Sequence, residues 1–224
     1  MSKKAVHFFY DVVSPYSYFG FEILCRYKSR WNLDLKLRPF FLGGVMKGSG
    51  NKPPAMHAPD KGKYLSVDVE RCSKYYDLPT KFPHNPQELM FANGTITAQR
   101  FLTVLDMERP ELVEKVSREL WLRAWVRDED IIKPDGIAAA AKAAGMELKD
   151  IESMLSKVKN DDVKKRLMQT TQEALDLGGF GSPMIVFDAN NEKQMIFGSD
   201  RFPVMAHMLG LKWEGPNPGV SSRL

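Results

Sequence analysis

The sequence predicts an α/β fold in which a small mixed sheet is covered by helices and a long, purely helical insertion interrupts the chain. Three observations carry this. β-Branched and aromatic residues from Ala5 to Val13 stop at Ser14-Pro15 and give way to an apolar helical face. A second strand pattern follows at once, from Leu33 to Phe41. Strand signals then vanish for more than a hundred residues and return near Met184. The order strand, helix, strand, helices, hairpin, helix fits a layered mixed sheet. Residues 1–45 and 178–224 form the discontinuous sheet domain, and 46–177 form the helical insertion with its connecting loop.

Each element has a local cause. Pro15 suits the first turn of a helix, where its missing N–H costs nothing. Phe19, Ile23 and Tyr27 recur at four-residue spacing with Gly20 and Leu24 beside them, while Glu22, Arg26 and Lys28 lie off that face. Leu33, Leu35 and Leu37 alternate with Asp34, Lys36 and Arg38, as a half-buried strand requires. Gly43 to Pro59, rich in Gly, Pro and Asn, reads as a long loop. Leu112, Val116 and Leu120 mark a helix behind Pro110. Ile137 to Ala144 marks another that stops at Gly145, and Val163, Leu167 and Ala174 a third that stops at Gly178-Gly179. Met184 to Phe187 and Met195 to Phe197 are short strands joined by the turn Asp188-Ala189-Asn190-Asn191. Asp200 is placed to cap a last helix with Val204, Met208 and Leu209 facing inward.

Composition narrows the function classes. The chain has 224 residues, 43% of them hydrophobic, enough for a sizeable core. A formal net charge of +4, with no basic stripe interleaved with aromatics, does not point to nucleic acid. No stretch approaches the ~20 apolar residues of a membrane span. Cys25 and Cys72 are too few for a disulfide framework, and no Cys/His cluster has metal-ligand spacing, so no metal is expected. Cys25 reads as a packed core thiol. Trp121 and Trp125 read as core. His7, His57, His84 and His207 are scattered and suggest no Ser/His/Asp set. The chain ends in Ser222-Arg223-Leu224, a variant of the Ser-Lys-Leu peroxisomal address, behind the loose run Pro216-Asn217-Pro218-Gly219.

Two constellations can carry chemistry. Ser14-Pro15-Tyr16-Ser17 lies at a strand-to-helix junction, where unpaired backbone N–H groups and the positive end of the helix dipole stabilise an anion such as a thiolate. A serine hydroxyl there can donate a hydrogen bond to a bound sulfur. Spacing alone favours a plain N-cap role for Ser14, so this reading needs support from elsewhere. The second constellation is Gly181-Ser182-Pro183 before a strand, either a tight-turn cis proline or an ordinary edge proline.

That support is a resemblance. Phe8-Phe9-Tyr10-Asp11-Val12-Val13-Ser14-Pro15-Tyr16-Ser17-Tyr18, followed by Gly20-Phe21-Glu22, resembles the start of the kappa-class glutathione transferases. Ser49-Gly50-Asn51-Lys52-Pro53-Pro54, Arg118-Glu119-Leu120-Trp121 and Phe197-Gly198-Ser199-Asp200-Arg201 resemble later segments of the same family, in the same order. The likeness runs from near residue 5 to the C-terminus. The wider group includes the 2-hydroxychromene-2-carboxylate isomerases and, more remotely, the DsbA-type disulfide oxidoreductases, which carry Cys-Pro-x-Cys where Ser14-Pro15-Tyr16-Ser17 stands.

The resemblance implies a thioredoxin-like fold of the DsbA type, glutathione as co-substrate and a homodimer. It places Ser14 at the catalytic serine beside the glutathione sulfur, with Pro15 and Tyr16 completing that turn. It places Asn51 among the glutathione contacts, and Ser182, before Pro183, where the backbone pairs with the peptide. Ser199 and Asp200 fall on the pair that holds the γ-glutamyl end; Lys61 and Arg201 are further candidates for carboxylate contacts. Two residues depart from the pattern: Ser182 stands at an often apolar position, and Tyr18 stands where mammalian members carry Trp and isomerase relatives often carry Tyr. The activity implied is transfer of the glutathione thiolate to small hydrophobic electrophiles, a detoxification chemistry, with peroxide reduction open to the same thiolate. Two alternatives stand beside it: a glutathione-dependent isomerase that recycles the thiol, and a non-catalytic glutathione-binding scaffold. Without Cys at 14 and 17, dithiol exchange is excluded at this site. The expected location is the peroxisome through a receptor for Ser222-Arg223-Leu224, or alternatively the mitochondrion.

Overall fold

The computed structural model describes residues 3–92 and 94–219. Strand β1 (Lys4–Tyr10) runs into helix α1 (Pro15–Tyr27), which returns the chain to β2 (Leu33–Pro39), parallel to β1 and paired Lys4 to Leu33 through Tyr10 to Pro39. The hairpin β3 (Met184–Ala189) and β4 (Glu192–Phe197) adds to the other side of β1, giving the order β2-β1-β3-β4 with β1/β3 and β3/β4 antiparallel. Asn190 and Asn191 both sit at positive φ, 55° and 63°. Two such residues form the tight hairpin turn whose twist matches the strands. β1 is central, so its run of Phe8, Phe9 and Tyr10 is fully buried.

The helical part begins earlier than residue 46. Helices α2 (Leu42–Ser49) and α3 (Pro54–His57) occupy much of the expected loop from Gly43 to Pro59, and that reading is corrected. Gly44 and Gly48 serve close packing, while Gly50, at φ 73°, ends α2 in a left-handed turn. A Cβ on Gly48 would meet Leu175 Cδ1 at 2.5 Å and one on Gly44 would meet Thr171 Cγ2 at 3.0 Å. α2 therefore lies directly on α9 (Asp161–Asp176), which a composition count cannot distinguish from a flexible segment. Between them come α4 (Pro59–Tyr76), α5 (Ile96–Glu108), α6 (Pro110–Leu122), α7 (Pro134–Ala143) and α8 (Leu148–Lys157), with π-helical turns at Glu88–Ala92 and Arg123–Arg127.

One apolar cluster runs through both parts, from Phe8 and Phe19 to Leu102, Trp121, Ile137 and Ile151. Trp121 is its pivot, 4.9 Å from the Phe21 ring, 5.2 Å from Tyr10 and 5.7 Å from Tyr18. Arg118 holds α6 to α1 through Glu22 at 2.7 Å, with its guanidinium 4.7 Å from the Phe21 ring centre. Trp125 is fully buried too.

The last helix, α10 (Phe202–Leu209), differs from expectation. Its N-cap is Arg201, without a side-chain cap bond. The Asp200 carboxylate stands one residue too early and is engaged by the Arg201 guanidinium. Phe202, Met205 and Ala206 face inward, Met208 and Leu209 pack beside them, and Val204 is 47% exposed. The run after it is tied down instead of loose. Arg26 donates to the Pro216 carbonyl at 3.0 Å, and the Tyr27 hydroxyl donates to the Gly215 carbonyl at 2.7 Å. Ser222-Arg223-Leu224 lies outside the described residues.

Candidate active site

Ser14 ends β1's excursion in extended backbone, φ −88° and ψ 119°, and caps α1. Its Oγ accepts the Ser17 N–H at 3.1 Å and donates to the Ser182 carbonyl at 3.3 Å. Its carbonyl accepts the Trp121 indole N–H at 3.2 Å and the Tyr18 N–H at 3.3 Å. Pro15 has no N–H, and the Ser17 and Tyr18 donors are used. Helix geometry thus leaves the Tyr16 N–H as the first-turn donor without an intrahelical partner. The local field favours an anion here. The hydroxyl, held by Ser17, could exchange its long bond to a carbonyl for a charge-assisted bond to an anion.

Beneath Ser14 lies a buried polar cluster. The Ser17 and Ser182 hydroxyls are 2.6 Å apart, and Ser182 Oγ also accepts the Asp11 N–H at 3.3 Å. The Ser182–Pro183 bond is cis. Asp11 is 1% exposed. Its carboxylate accepts from the Thr95 hydroxyl, from Val13 N–H at 3.1 Å and from Leu42 N–H at 3.0 Å. Burial pushes its pKa up to about 6 despite those donors. Gln99, fully buried, donates to the Tyr10 and Phe40 carbonyls and accepts from Val12 N–H, closing the ends of β1 and β2.

A cavity of 740 Å³ opens over this floor. Phe41, Leu42 and Met46 give it an apolar wall, and Lys47, Asn51, Lys52, His57 and Lys61 stand around its mouth. Of the residues singled out in the sequence, it gathers Ser14, Pro15, Tyr16, Asn51, Lys61 and Ser182, with Pro183 directly behind Ser182. Asn51 spans the mouth: its Nδ2 donates to the Phe180 carbonyl at 2.7 Å and its Oδ1 accepts Lys52 N–H at 2.8 Å. Ser199, Asp200 and Arg201 do not line this cavity. They follow β4 beyond Phe197, where the Ser199 carbonyl accepts the Tyr76 hydroxyl at 2.8 Å and Asp200 pairs with Arg201. A ligand ammonium at Asp200 would compete with that guanidinium.

Several groups are removed from the chemistry. The Tyr16 hydroxyl donates to Asp68 at 2.6 Å, and burial together with that carboxylate pushes its pKa far up, so it remains a neutral phenol. Burial pushes the Cys25 thiol up to about 12 and Cys72 up to about 11. Neither is a thiolate near neutral pH. Among the described residues no group of three or more His, Cys, Asp or Glu is arranged to hold a metal ion, and no helix is long and apolar enough to cross a membrane.

Sequence patterns do not single out Asp11, Thr95, Gln99 or the hydroxyl of Ser17. Asp11 is visible there only within the run from Phe8 to Tyr18 that carries the resemblance. An acid three residues before an N-cap serine, at a strand's end, is the local signal that could find it. Thr95 and Gln99 carry no such signal.

Comparisons with known proteins bear on the family and the fold. Residues 5–210 match the family model of the DSBA-like thioredoxin domain. The chain is 46% identical to glutathione S-transferase kappa 1 of Homo sapiens over 222 residues, covering 99% of this chain and 98% of that protein. It is 22% identical to the 2-hydroxychromene-2-carboxylate isomerase of Sphingobium xenophagum, over 92% of this chain and 98% of the other. Among solved structures, a 2-hydroxychromene-2-carboxylate isomerase superposes with a TM-score of 0.74 at 21% identity, covering 92% of this chain and 94% of that one, which speaks to the fold. The serine-headed α1 and the match along nearly its whole length place the chain in the kappa-class glutathione S-transferases, on a DsbA-like thioredoxin fold.

Proposed function

We propose that the protein transfers the glutathione thiolate to small hydrophobic electrophiles in the cavity over Ser14. The observation that carries this is the Ser14 hydroxyl, held by Ser17 N–H at a helix start and lining an apolar-walled cavity. Bound glutathione places its sulfur beside Ser14 Oγ and the Tyr16 N–H. The thiol proton leaves to solvent. Each unit of pKa lowering corresponds to about 1.4 kcal/mol of thiolate stabilisation. The thiolate then attacks the electrophilic carbon, the S–C bond forms, and the leaving group departs with its electron pair. With both protein thiols kept protonated by burial, the nucleophile is the ligand's own.

The same thiolate can reduce an organic peroxide, two glutathione molecules giving one disulfide, an alcohol and water. Asn51, Lys61 and the backbone of Ser182 are the proposed contacts along the peptide, and Ser199 and Asp200, with Arg201 beside them, those of its γ-glutamyl end. We further propose a homodimer, and import into the peroxisome through Ser222-Arg223-Leu224, with the mitochondrion as the other location.

The test is an absorbance titration of the bound thiolate, followed by addition of a chloronitrobenzene. Thiolate formation near neutral pH with glutathione consumed supports the transferase. Recycled glutathione with a rearranged conjugated substrate identifies the isomerase. Binding without thiolate identifies an inert scaffold.

A further inference from the structure

Asp11 joins four of the segments around the cavity floor. Its backbone N–H reaches Ser182, beside the cis bond. One carboxylate oxygen holds Val13 N–H and the Thr95 hydroxyl; the other holds Leu42 N–H. Its carbonyl accepts Ser14 N–H at 3.0 Å, closing the turn that presents the serine. These partners belong to the β1–α1 turn, the first residue of α2, the N-cap of α5 and the loop before β3.

Two details argue that this is more than packing. Thr95 is the N-cap of α5, yet it makes no cap bond and turns its hydroxyl to Asp11. An N-cap threonine ordinarily satisfies its own helix. And a buried carboxylate is a costly way to join segments that neutral groups could join.

We propose that Asp11 is a positioning residue that sets Ser14 against the α2 wall and the α5 start, so that its hydroxyl meets the ligand sulfur. It acts through the Val13–Ser14 turn and touches no reacting atom. The inference rests on the transferase reading for its effect on activity.

The test uses Asp11→Asn, Thr95→Val and Thr95→Ser in the full chain. Asp11→Asn leaves one acceptor oxygen where three donors converge. Thr95→Val keeps the carboxylate and removes one donor, so it separates position from charge and decides the matter if Asp11→Asn does not fold. In Thr95→Val the pKa of bound glutathione should rise by about half to one unit, and kcat should fall severalfold with a smaller change in KM. Thr95→Ser should restore both. Amide exchange at Val13 and Leu42 should quicken in Asp11→Asn.

Folded variants with the parent's thiol pKa, kcat and amide exchange would overturn the proposal. So would a lowered thiol pKa in Thr95→Val. If the parent protein forms no glutathione thiolate, the transferase reading fails instead, and the exchange rates at Val13 and Leu42 still decide whether Asp11 holds the turn.

Discussion

Around Ser14, the polar side chains of Asp11, Ser14, Ser17 and Ser182 are at most 8% exposed, and each is hydrogen-bonded to at least one of the others or to the chain beside them. At the mouth of the same cavity, Lys47, Lys52 and Lys61 are exposed, and none forms an ion pair among the described residues. The floor is joined across the chain, whereas the mouth is an open cationic rim. Each region has the order its task requires. A hydrogen bond that must meet a developing thiolate needs a donor whose position is settled beforehand. A rim that attracts an anionic tripeptide needs only charge, which acts at a distance and through solvent.

The contrast can be broken at its strongest point first. Ser14→Ala should lower kcat/KM for a chloronitrobenzene by about ten- to a hundredfold, the worth of a hydrogen bond to a charged group, about 1.5–3 kcal/mol. A steady-state assay reads it, and parental activity would show that Ser14 is a helix cap alone. Ser182→Ala should leave the Ser17 hydroxyl and the Asp11 N–H without their partner. Its cost should be about 1–3 kcal/mol in urea unfolding. A loss confined to activity, with stability unchanged, would mean that the floor is less tightly coupled than its bonds imply.

The pH dependence sharpens the same point. Burial raises the Asp11 pKa from 3.8 to about 6. The folded state therefore holds this proton more tightly than the unfolded chain. The stability it contributes is full below about pH 4 and is lost as pH rises through about 6. The slope is at most about 1.4 kcal/mol per pH unit for one proton. Urea midpoints from pH 4.5 to 7.5 should show Asp11→Asn lacking that component; identical slopes in the two proteins would contradict it.

The smallest effect belongs to the mouth. Lys47→Ala or Lys52→Ala should change glutathione KM by less than about 1 kcal/mol, or fivefold. That change should shrink at high salt. A large, salt-insensitive loss in either variant would move that lysine from the rim to a direct, desolvated contact.

Local causes are legible in the sequence. The Ser14 cap, the Pro15 start of α1, the Asn190-Asn191 turn and the Gly145 and Gly178 helix ends all act within a few residues. α2 reads as a loop because Gly44 and Gly48 answer to Thr171 and Leu175, far along the chain. Asp200 reads as a cap, yet the helix begins one residue later, with Arg201 at the N-cap position. Cys25 reads as a core thiol and lies half-buried against the core, where burial is the largest influence raising its pKa.

That a serine caps a helix at the end of a strand, and which family's motifs surround it, can be read along the chain. Both are matters of neighbours in the chain. The tertiary structure decided that Asp11 meets Leu42, Thr95 and Ser182, which lie 31, 84 and 171 residues away. A cap's partner is set by helix geometry. A buried carboxylate's partners are set by whichever donors the fold brings to it, and no spacing rule names them in advance.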